Sequence, residues 1–243
     1  EPGVVRTSRG PIRTRHAIAC TEAYSGPLVG ARRVIPVNSS IIATVPLSDE
    51  DWARIGWDAR ECLGDAAHTF VYAQRTDDGR IVIGGRGSPY AFNSGLPGDG
   101  EMPVGVIRAL HRRLRTLLPG IRMPIEHAWR GSIGVTRDWC ATVHVDDATG
   151  IGHAYGYAGH GVTATNLAAR TLLDRIRGRA SVRTALPWND HDSGTWEPEP
   201  IRWVGVHAMY RLFGVADAWE ELRGAQDTAL VAKVGSRLAG MHE

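Results

Sequence analysis

The sequence predicts an α+β fold, in which strand-like segments joined by tight turns lie beside amphipathic helices. The chain has 243 residues, 43% of them hydrophobic, which is enough for a globular protein with a real core. Residues 69–75 and 80–84 have the composition of β-strands and flank Asp77-Asp78-Gly79, which is typical of a hairpin turn. Apolar residues at helical spacing over residues 107–118 predict an amphipathic helix.

The N-terminal part of the chain predicts short strands followed by a capped helix. Residues 4–20 are typical of strand, turn and strand, and His16–Cys20 is predicted to be a short buried strand. Residues 34–46 are predicted to be extended. Ser48 followed by acidic residues predicts the start of a helix. The chain therefore starts in what is predicted to be the middle of a sheet, and we expect it to be a piece of a longer protein.

The C-terminal half predicts further strands and three more helices. Pro119-Gly120 ends the helix over residues 107–118. Residues 125–135, 140–145 and 151–157 are strand-like. Apolar spacing places the remaining helices at the following positions: from Gly161 onward, around Trp203, Val206, Tyr210 and Phe213, and around Leu230, Val231, Val234 and Leu238.

Composition and charge exclude several classes of protein. No apolar run approaches the roughly 20 residues that a membrane-spanning helix needs. A formal net charge of +2 argues against a dedicated nucleic-acid surface. The three cysteines, Cys20, Cys62 and Cys140, are odd in number and far apart, which predicts a reducing compartment and a cytoplasmic location.

Familiar catalytic and metal motifs are missing from the sequence. The ten histidines form no HExxH and the cysteines form no CxxC, so no metal site is predicted. Asn189-Asp-His-Asp192 could bind a cation, but a polar loop needs no such explanation and is the favoured interpretation. Gly85-Arg-Gly-Ser88 is not the GxSxG of a serine hydrolase, and Gly84-Gly-Arg-Gly87 is not the GxGxxG of a dinucleotide site.

The segment Gly159-His160-Gly161-Val162-Thr163 joins a strand to a helix and has two interpretations. Its glycines can serve only the turn, by supplying positive φ or close packing. Alternatively, the helix N-terminus faces an electron-rich ligand, with His160 and Thr163 as further donors. Spacing alone leaves both interpretations open.

Six segments in a fixed order resemble a known family. They are HAIACTEAYSG (16–26), RVIPVNSSIIATVPL (33–47), YAQRTDDGRIVIGGRG (72–87), IEHAWRGSIGVTRDWCATV (125–143), GYAGHGVTATNLAARTLLDRI (156–176) and LPWNDHDSGTWEPEPIRWVGV (186–206). Together they are similar to the FAD-dependent oxidoreductases of the D-amino-acid oxidase (DAO) type, and most similar to members that resemble γ-glutamylputrescine oxidase.

The resemblance implies a domain organisation. A mixed, mostly antiparallel sheet with flanking helices is expected to form the substrate-binding domain over residues 33–134. Residues 1–32 and 135–180 are expected to be remnants of the FAD-binding domain, and residues 181–243 a C-terminal loop with helices. The family's N-terminal GxGxxG is absent from the sequence. We therefore expect a C-terminal half that by itself binds FAD poorly and is inactive, and that needs its N-terminal half or a partner chain.

The resemblance also implies a cofactor, a reaction and contact residues. A small amine or amino acid gives a hydride equivalent to flavin N5, and the resulting imine is hydrolysed. Gly159, His160, Gly161, Val162 and Thr163 match the segment that contacts the flavin. Cys20 and Thr21 are weaker candidates beside the dinucleotide. No catalytic residue is assigned.

Substrate contacts and departures from the family come from the same comparison. Tyr72, Arg86 and Trp129 match segments that face the substrate, and Arg86 could pair with a carboxylate, although structural roles explain all three equally well. Val82 stands where some members have a lysine used with oxygen, and Gly131 stands where some attach FAD through cysteine, so FAD is expected to be non-covalent. The alternative is a non-enzymatic domain or subunit that acts through protein contacts, with no role for nucleic acid or membrane.

Overall fold

The computed structural model describes residues 3–85, 89–96, 98, 100–224 and 227–240. The strands of this part are β1 Val4–Thr7, β2 Gly10–Arg13, β3 Ala17–Ala19, β4 Ile35–Thr44, β5 Leu63–Gly64, β6 Tyr72–Arg75, β7 Ile81–Gly85, β8 Ile125–Val135, β9 Thr142–Asp146 and β10 Ile151–Tyr155. The α-helices are α1 Gly26–Val29, α2 Asp49–Ile55, α3 Val104–Leu117, α4 Gly161–Ile176, α5 Ile201–Arg223 and α6 Leu230–Leu238. The chain divides into two compact units, residues 1–36 with 133–198 and 239–243, and residues 37–132 with 199–238.

The first unit is built on a three-stranded sheet in the order β3-β10-β9. Strand β10 runs parallel to β3 and antiparallel to β9. Helix α4 packs on this sheet through Ala168 and Leu172, which meet Val143, Val145 and Ala154. Strands β1 and β2 form a separate antiparallel hairpin. The small alanine side chains allow the helix to approach the sheet closely.

The second unit is built on a five-stranded sheet in the order β5-β6-β7-β4-β8. Strands β5, β6, β7 and β4 pair antiparallel. One face carries Ile42 and Ile83, which are fully buried against Leu110 and Leu114 of α3. Burying each of these side chains contributes about 1.5–3 kcal/mol relative to leaving it in water. Gly235 of α6 approaches Met209, Leu212 and Phe213 of α5, so a side chain at Gly235 would collide with them.

Local sequence explains the elements that were predicted best. The Ser48 hydroxyl accepts the Asp51 N–H at 3.2 Å and caps α2, whose first turn is acidic and therefore complements the helix dipole. Between β6 and β7 the turn closes on Gly79, whose φ is 76°. The mixed, mostly antiparallel α+β fold is confirmed.

Two details differ from the sequence predictions. Strand β3 was predicted to be buried, but Ile18 is 37% exposed. The reason is that β3 is an edge strand of its sheet in the described part of the chain. The α5 face was predicted from Trp203 and Phe213, yet Phe213 is buried whereas Trp203 is 38% exposed. In the described residues, no helix is long and apolar enough to cross a membrane.

Candidate functional site

The connection from β10 to α4 is a tight turn that depends on its glycines. Gly156, Ala158 and Gly159 have positive φ values of 84°, 51° and 104°. A Cβ at Gly156 would also lie 2.6 Å from Cγ2 of Thr136, so both space and conformation require glycine there. The His160 N–H donates to the Tyr157 carbonyl at 2.9 Å and closes the turn. The chain therefore enters α4 in one defined direction.

The first turn of α4 presents backbone amides to solvent. The first turn carries no acidic residue, and the His160 side chain makes no capping hydrogen bond. Val162 is 96% exposed. Thr163 donates its hydroxyl back to the His160 carbonyl at 3.1 Å. Since the first N–H groups of a helix have no partner within it, this end has the positive potential that favours an anion or a polarised carbonyl.

The His160 side chain folds back onto its own turn. Its Nδ1 lies 3.3 Å from the Tyr157 carbonyl oxygen, which also accepts the His160 backbone N–H at 2.9 Å.

Gly161 differs from Gly156 and Gly159 of the same turn because neither φ nor packing requires a glycine there. Its φ lies outside the positive range, and the nearest atom to an added Cβ is Cδ2 of Tyr157 at an ordinary 3.8 Å. A glycine at the start of a helix costs backbone entropy relative to alanine. The turn therefore explains Gly156 and Gly159 but not Gly161.

Cys20 and Thr21 lie at the same edge of the sheet as this turn. Because β3 and β10 are parallel, with Ala19 opposite His153, their carboxyl ends meet at one edge. Ligands of α/β sheets bind outside the carboxyl ends of parallel strands. Burial raises the Cys20 pKa. The Thr21 hydroxyl is 2.9 Å from that of the fully buried Ser25, so its role is at least partly structural.

Glu22 is a component of this edge that the sequence analysis missed. Its Oε1 accepts the Gly134 N–H at 3.1 Å and its Oε2 accepts the Gly156 N–H at 3.0 Å. Its φ is 45°, a conformation that an L residue adopts only under constraint. Burial raises the Glu22 pKa, against the lowering effect of the hydrogen bonds from the Gly156, Gly134 and Tyr157 backbone. The carboxylate thus joins the ends of β8 and β10 beneath the turn.

Tyr157 lies in the same low-polarity surroundings. Burial, followed by the nearby charges of Cys20 and Glu22, raises the pKa of Tyr157 to about 12. Its hydroxyl therefore stays protonated at neutral pH. This edge of the first unit combines a half-buried carboxylate, a buried phenol and exposed helix amides.

Two of the three predicted substrate residues lie on strands of the sheet in the second unit. The Tyr72 ring lies over Gly84, where a Cβ would meet Cζ at 2.2 Å, and the Tyr72 hydroxyl is 3.0 Å from that of Ser39. Trp129 of β8 is 41% exposed. Tyr72 lies opposite Gly84, and its neighbour Ala73 is in the core, so Tyr72 is on the face away from α3. Arg86 lies outside the described residues.

The sequence of this chain matches the model of a known protein family. The model for the FAD dependent oxidoreductases (DAO) matches residues 1–175. The chain belongs to the DAO family. The family resemblance seen in the sequence is therefore confirmed, and FAD is the cofactor of this family.

Similar curated proteins and a similar solved structure agree with this assignment. The γ-glutamylputrescine oxidoreductase of Escherichia coli is 31% identical over 183 residues, which are 74% of this chain and 40% of the relative. The probable oxidoreductase OrdL of Rhizobium meliloti is 29% identical over 184 residues, covering 73% and 39%. Glycine oxidase from Bacillus cereus shares the fold, with a TM-score of 0.60, 17% identity, and coverage of 74% of this chain and 46% of that one. The chain thus spans about two fifths of the length of these curated relatives.

Most of the residues singled out from the sequence lie at one edge of the sheet in the first unit. Gly159, His160, Gly161, Val162 and Thr163 are contiguous, and Cys20 lies at the same sheet edge. Glu22 was missed because its partners, Gly134 and Gly156, are distant in sequence.

Proposed function

We propose that this chain is the C-terminal portion of an FAD-dependent oxidoreductase that oxidises the C–N bond of a small amine or amino acid. The imine product is then released to hydrolysis by water. FAD is held without a covalent bond, because Gly131 offers no thiol at the position where some relatives carry one. The three cysteines are free, in keeping with a reducing cytoplasm.

The observation that carries the proposal is the glycine at the start of α4. Gly161 is not demanded by φ or by packing, and it lies between His160 and an almost fully exposed Val162. Absence of a side chain there lets a planar ring approach the amides of the first turn. The family match over residues 1–175 supports a flavin as that ring.

The residues of this chain would stabilise negative charge on the cofactor. When bound, FAD supplies the hydride acceptor. The α4 amides would stabilise the negative charge that reduction creates, and such a helix end would contribute about 0.3–1 kcal/mol, or up to ~2 kcal/mol when partly buried. This contribution is larger for the reduced than for the oxidised state, which is the difference that promotes the reaction. Glu22 holds the turn, and thereby the amides, in place.

The open face of the second unit would receive the substrate. Tyr72 is held by Ser39, and Trp129 adds an exposed aromatic surface, so the two give apolar walls with one hydroxyl. Val82 pairs with Gln74 and Ala43 in the same sheet. With valine there, the proposal includes no lysine for reaction with oxygen, so electron acceptors other than oxygen belong in every assay. Arg86 remains a proposed partner for a substrate carboxylate.

Tight FAD binding is proposed to need a nucleotide-binding segment that these 243 residues lack. In the described part of the chain, no strand pairs with the outer edge of β3. Ile18 of β3 and Ile151 of the neighbouring β10 are exposed. An uncovered edge with apolar side chains is suited to receive another strand. This feature supports a portion of a flavoenzyme over a non-enzymatic domain.

The test is a titration of the purified chain with FAD, followed by flavin fluorescence and visible absorbance. We expect weak saturable binding that is tighter for reduced than for oxidised flavin. The variant Gly161→Ala should weaken binding at least about tenfold, while leaving the fold intact because the added Cβ has space. Amine and amino-acid oxidation is then screened with oxygen and with an artificial acceptor.

Gly214→Ala is the matched control, because Gly214 lies in α5 with nothing within 4 Å of an added Cβ. It should bind flavin like the wild type. Equal binding by wild type and Gly161→Ala would remove Gly161 from the flavin site. Tight 1:1 FAD binding with turnover would show that no further segment is needed. If the folded protein binds neither the oxidised nor the reduced flavin, the result would favour the non-enzymatic interpretation.

A further inference from the structure

Three different metal-ligand types converge at one end of β9 in the first unit. Asp138 and Cys140 flank the turn that leads into β9, and His191 comes from the loop that precedes α5. One ligand atom from each lies within 4.8 Å of the other two. Asp138 and Cys140 lie in one segment and His191 in another, so no short sequence motif predicts the cluster.

The backbone around this cluster is well anchored. The Thr136 hydroxyl donates to the Cys140 carbonyl at 2.8 Å, and the Cys140 N–H donates to Asp138 Oδ1 at 3.1 Å. Trp139, between the two ligands, has a φ of 63°, and its indole N–H donates to the Ala239 carbonyl at 3.1 Å. The two side chains thus sit on a turn that is held at both ends.

His191 reaches the cluster because its loop runs beside β9. The Val143 N–H donates to the Trp188 carbonyl, and the Asp190 N–H donates to the Val143 carbonyl, each at 3.0 Å. His191 Nε2 then lies 2.6 Å from Asp138 Oδ2. About a third of the His191 and Asp138 side chains is exposed, and Cys140 is exposed, so an ion can enter from solvent.

The donor chemistry selects the ion. Thiolate, imidazole and carboxylate together suit Zn²⁺, which binds them at about 2.0–2.3 Å in a tetrahedron. Ca²⁺ and Mg²⁺ prefer oxygen ligands only. A second cluster, His68 with Asp217 and Glu220, is less suitable because the Asp217 oxygens already accept both backbone N–H groups and the hydroxyl at residues 68 and 69.

We propose that Asp138, Cys140 and His191 bind one zinc ion, with water in the fourth position. The ion replaces the Asp138–His191 hydrogen bond and ties the turn before β9 to the loop before α5. Its binding releases the thiol proton of Cys140. The site is independent of flavin, so its failure and the failure of the proposed oxidoreductase function are separable.

The first test uses the three cysteines of one sample as their own controls. Untagged, reduced chain is treated with iodoacetamide with and without Zn²⁺, and each cysteine is followed by peptide mass spectrometry. All three thiols are exposed, so all react without metal. Zinc should slow alkylation of Cys140 by at least about tenfold and leave Cys20 and Cys62 unchanged. Equal protection of all three, or none, overturns the proposal.

The second test replaces zinc with Co²⁺, which reports a thiolate ligand by a near-ultraviolet charge-transfer band. The band should saturate at one ion per chain. It should vanish in Cys140→Ser and persist in the matched control Cys62→Ser. His191→Ala should weaken zinc binding by more than the roughly 10–100-fold that follows loss of a ligand's hydrogen-bond partner. Circular dichroism verifies that each variant is folded, and an unchanged band in folded Cys140→Ser contradicts the site.

Discussion

Replacing Glu22 by glutamine tests whether its carboxylate holds the turn between β10 and α4 in place. The carboxylate accepts N–H groups with both oxygens, from Gly134 at 3.1 Å and from Gly156 at 3.0 Å. Glutamine has one acceptor oxygen, and its NH₂ would face an N–H group. At least one buried N–H is therefore left without a partner, which costs about 1–3 kcal/mol. For a chain of this size that corresponds to a fall in Tm of roughly 2–12 °C.

The same substitution changes the dependence of stability on pH. Burial raises the Glu22 pKa in the folded chain, so the folded state binds this proton more tightly than the unfolded state. The resulting stabilisation is complete below the ordinary glutamate pKa and is lost as pH rises through the raised value. Glutamine does not titrate, so the wild type should lose stability relative to Glu22→Gln across that window.

Thermal unfolding followed by circular dichroism at several pH values measures both effects. Hydrogen exchange adds a local reading, since the amides of Gly134 and Gly156 should exchange faster in the variant. Glu61→Gln, at an exposed glutamate, is the matched control and should match the wild type. An unchanged Tm together with unchanged exchange at both glycines would refute the assigned role of the carboxylate.

Three further predictions concern the same unit. Gly156→Ala should destabilise the chain by about 1–3 kcal/mol in denaturant unfolding, because φ is 84° and Cβ would lie 2.6 Å from Thr136; an unaltered midpoint would contradict the turn geometry. Asp174→Asn should lower Tm at pH 7 and flatten its acid dependence, since hydrogen bonds from Ser181 and Arg183 lower the Asp174 pKa and their stabilisation is lost as pH falls through it; parallel Tm profiles would oppose this. Spectroscopic titration should show one tyrosine ionising at about pH 12, absent in Tyr157→Phe, and stability should fall as pH rises above the ordinary tyrosine pKa; a titration unchanged in Tyr157→Phe would contradict the assignment.

Local sequence determined the elements whose causes are local. The Ser48 cap, the Asp77-Asp78-Gly79 turn and the apolar period of α3 each act within a few residues, so they can be inferred without the rest of the chain. The family resemblance likewise followed from ordered segments. The contiguous residues Gly159–Thr163 were singled out as candidates for the same reason.

Tertiary structure decided whatever depends on partners distant in sequence. Exposure of Ile18 follows from the edge position of β3, which strand composition does not specify. The function of Glu22 depends on Gly134 and Gly156, and the Asp138–Cys140–His191 cluster depends on a loop that runs beside β9. Periodicity and capping encode conformation over one or two turns of chain, whereas these contacts form only when the sheet brings remote segments together.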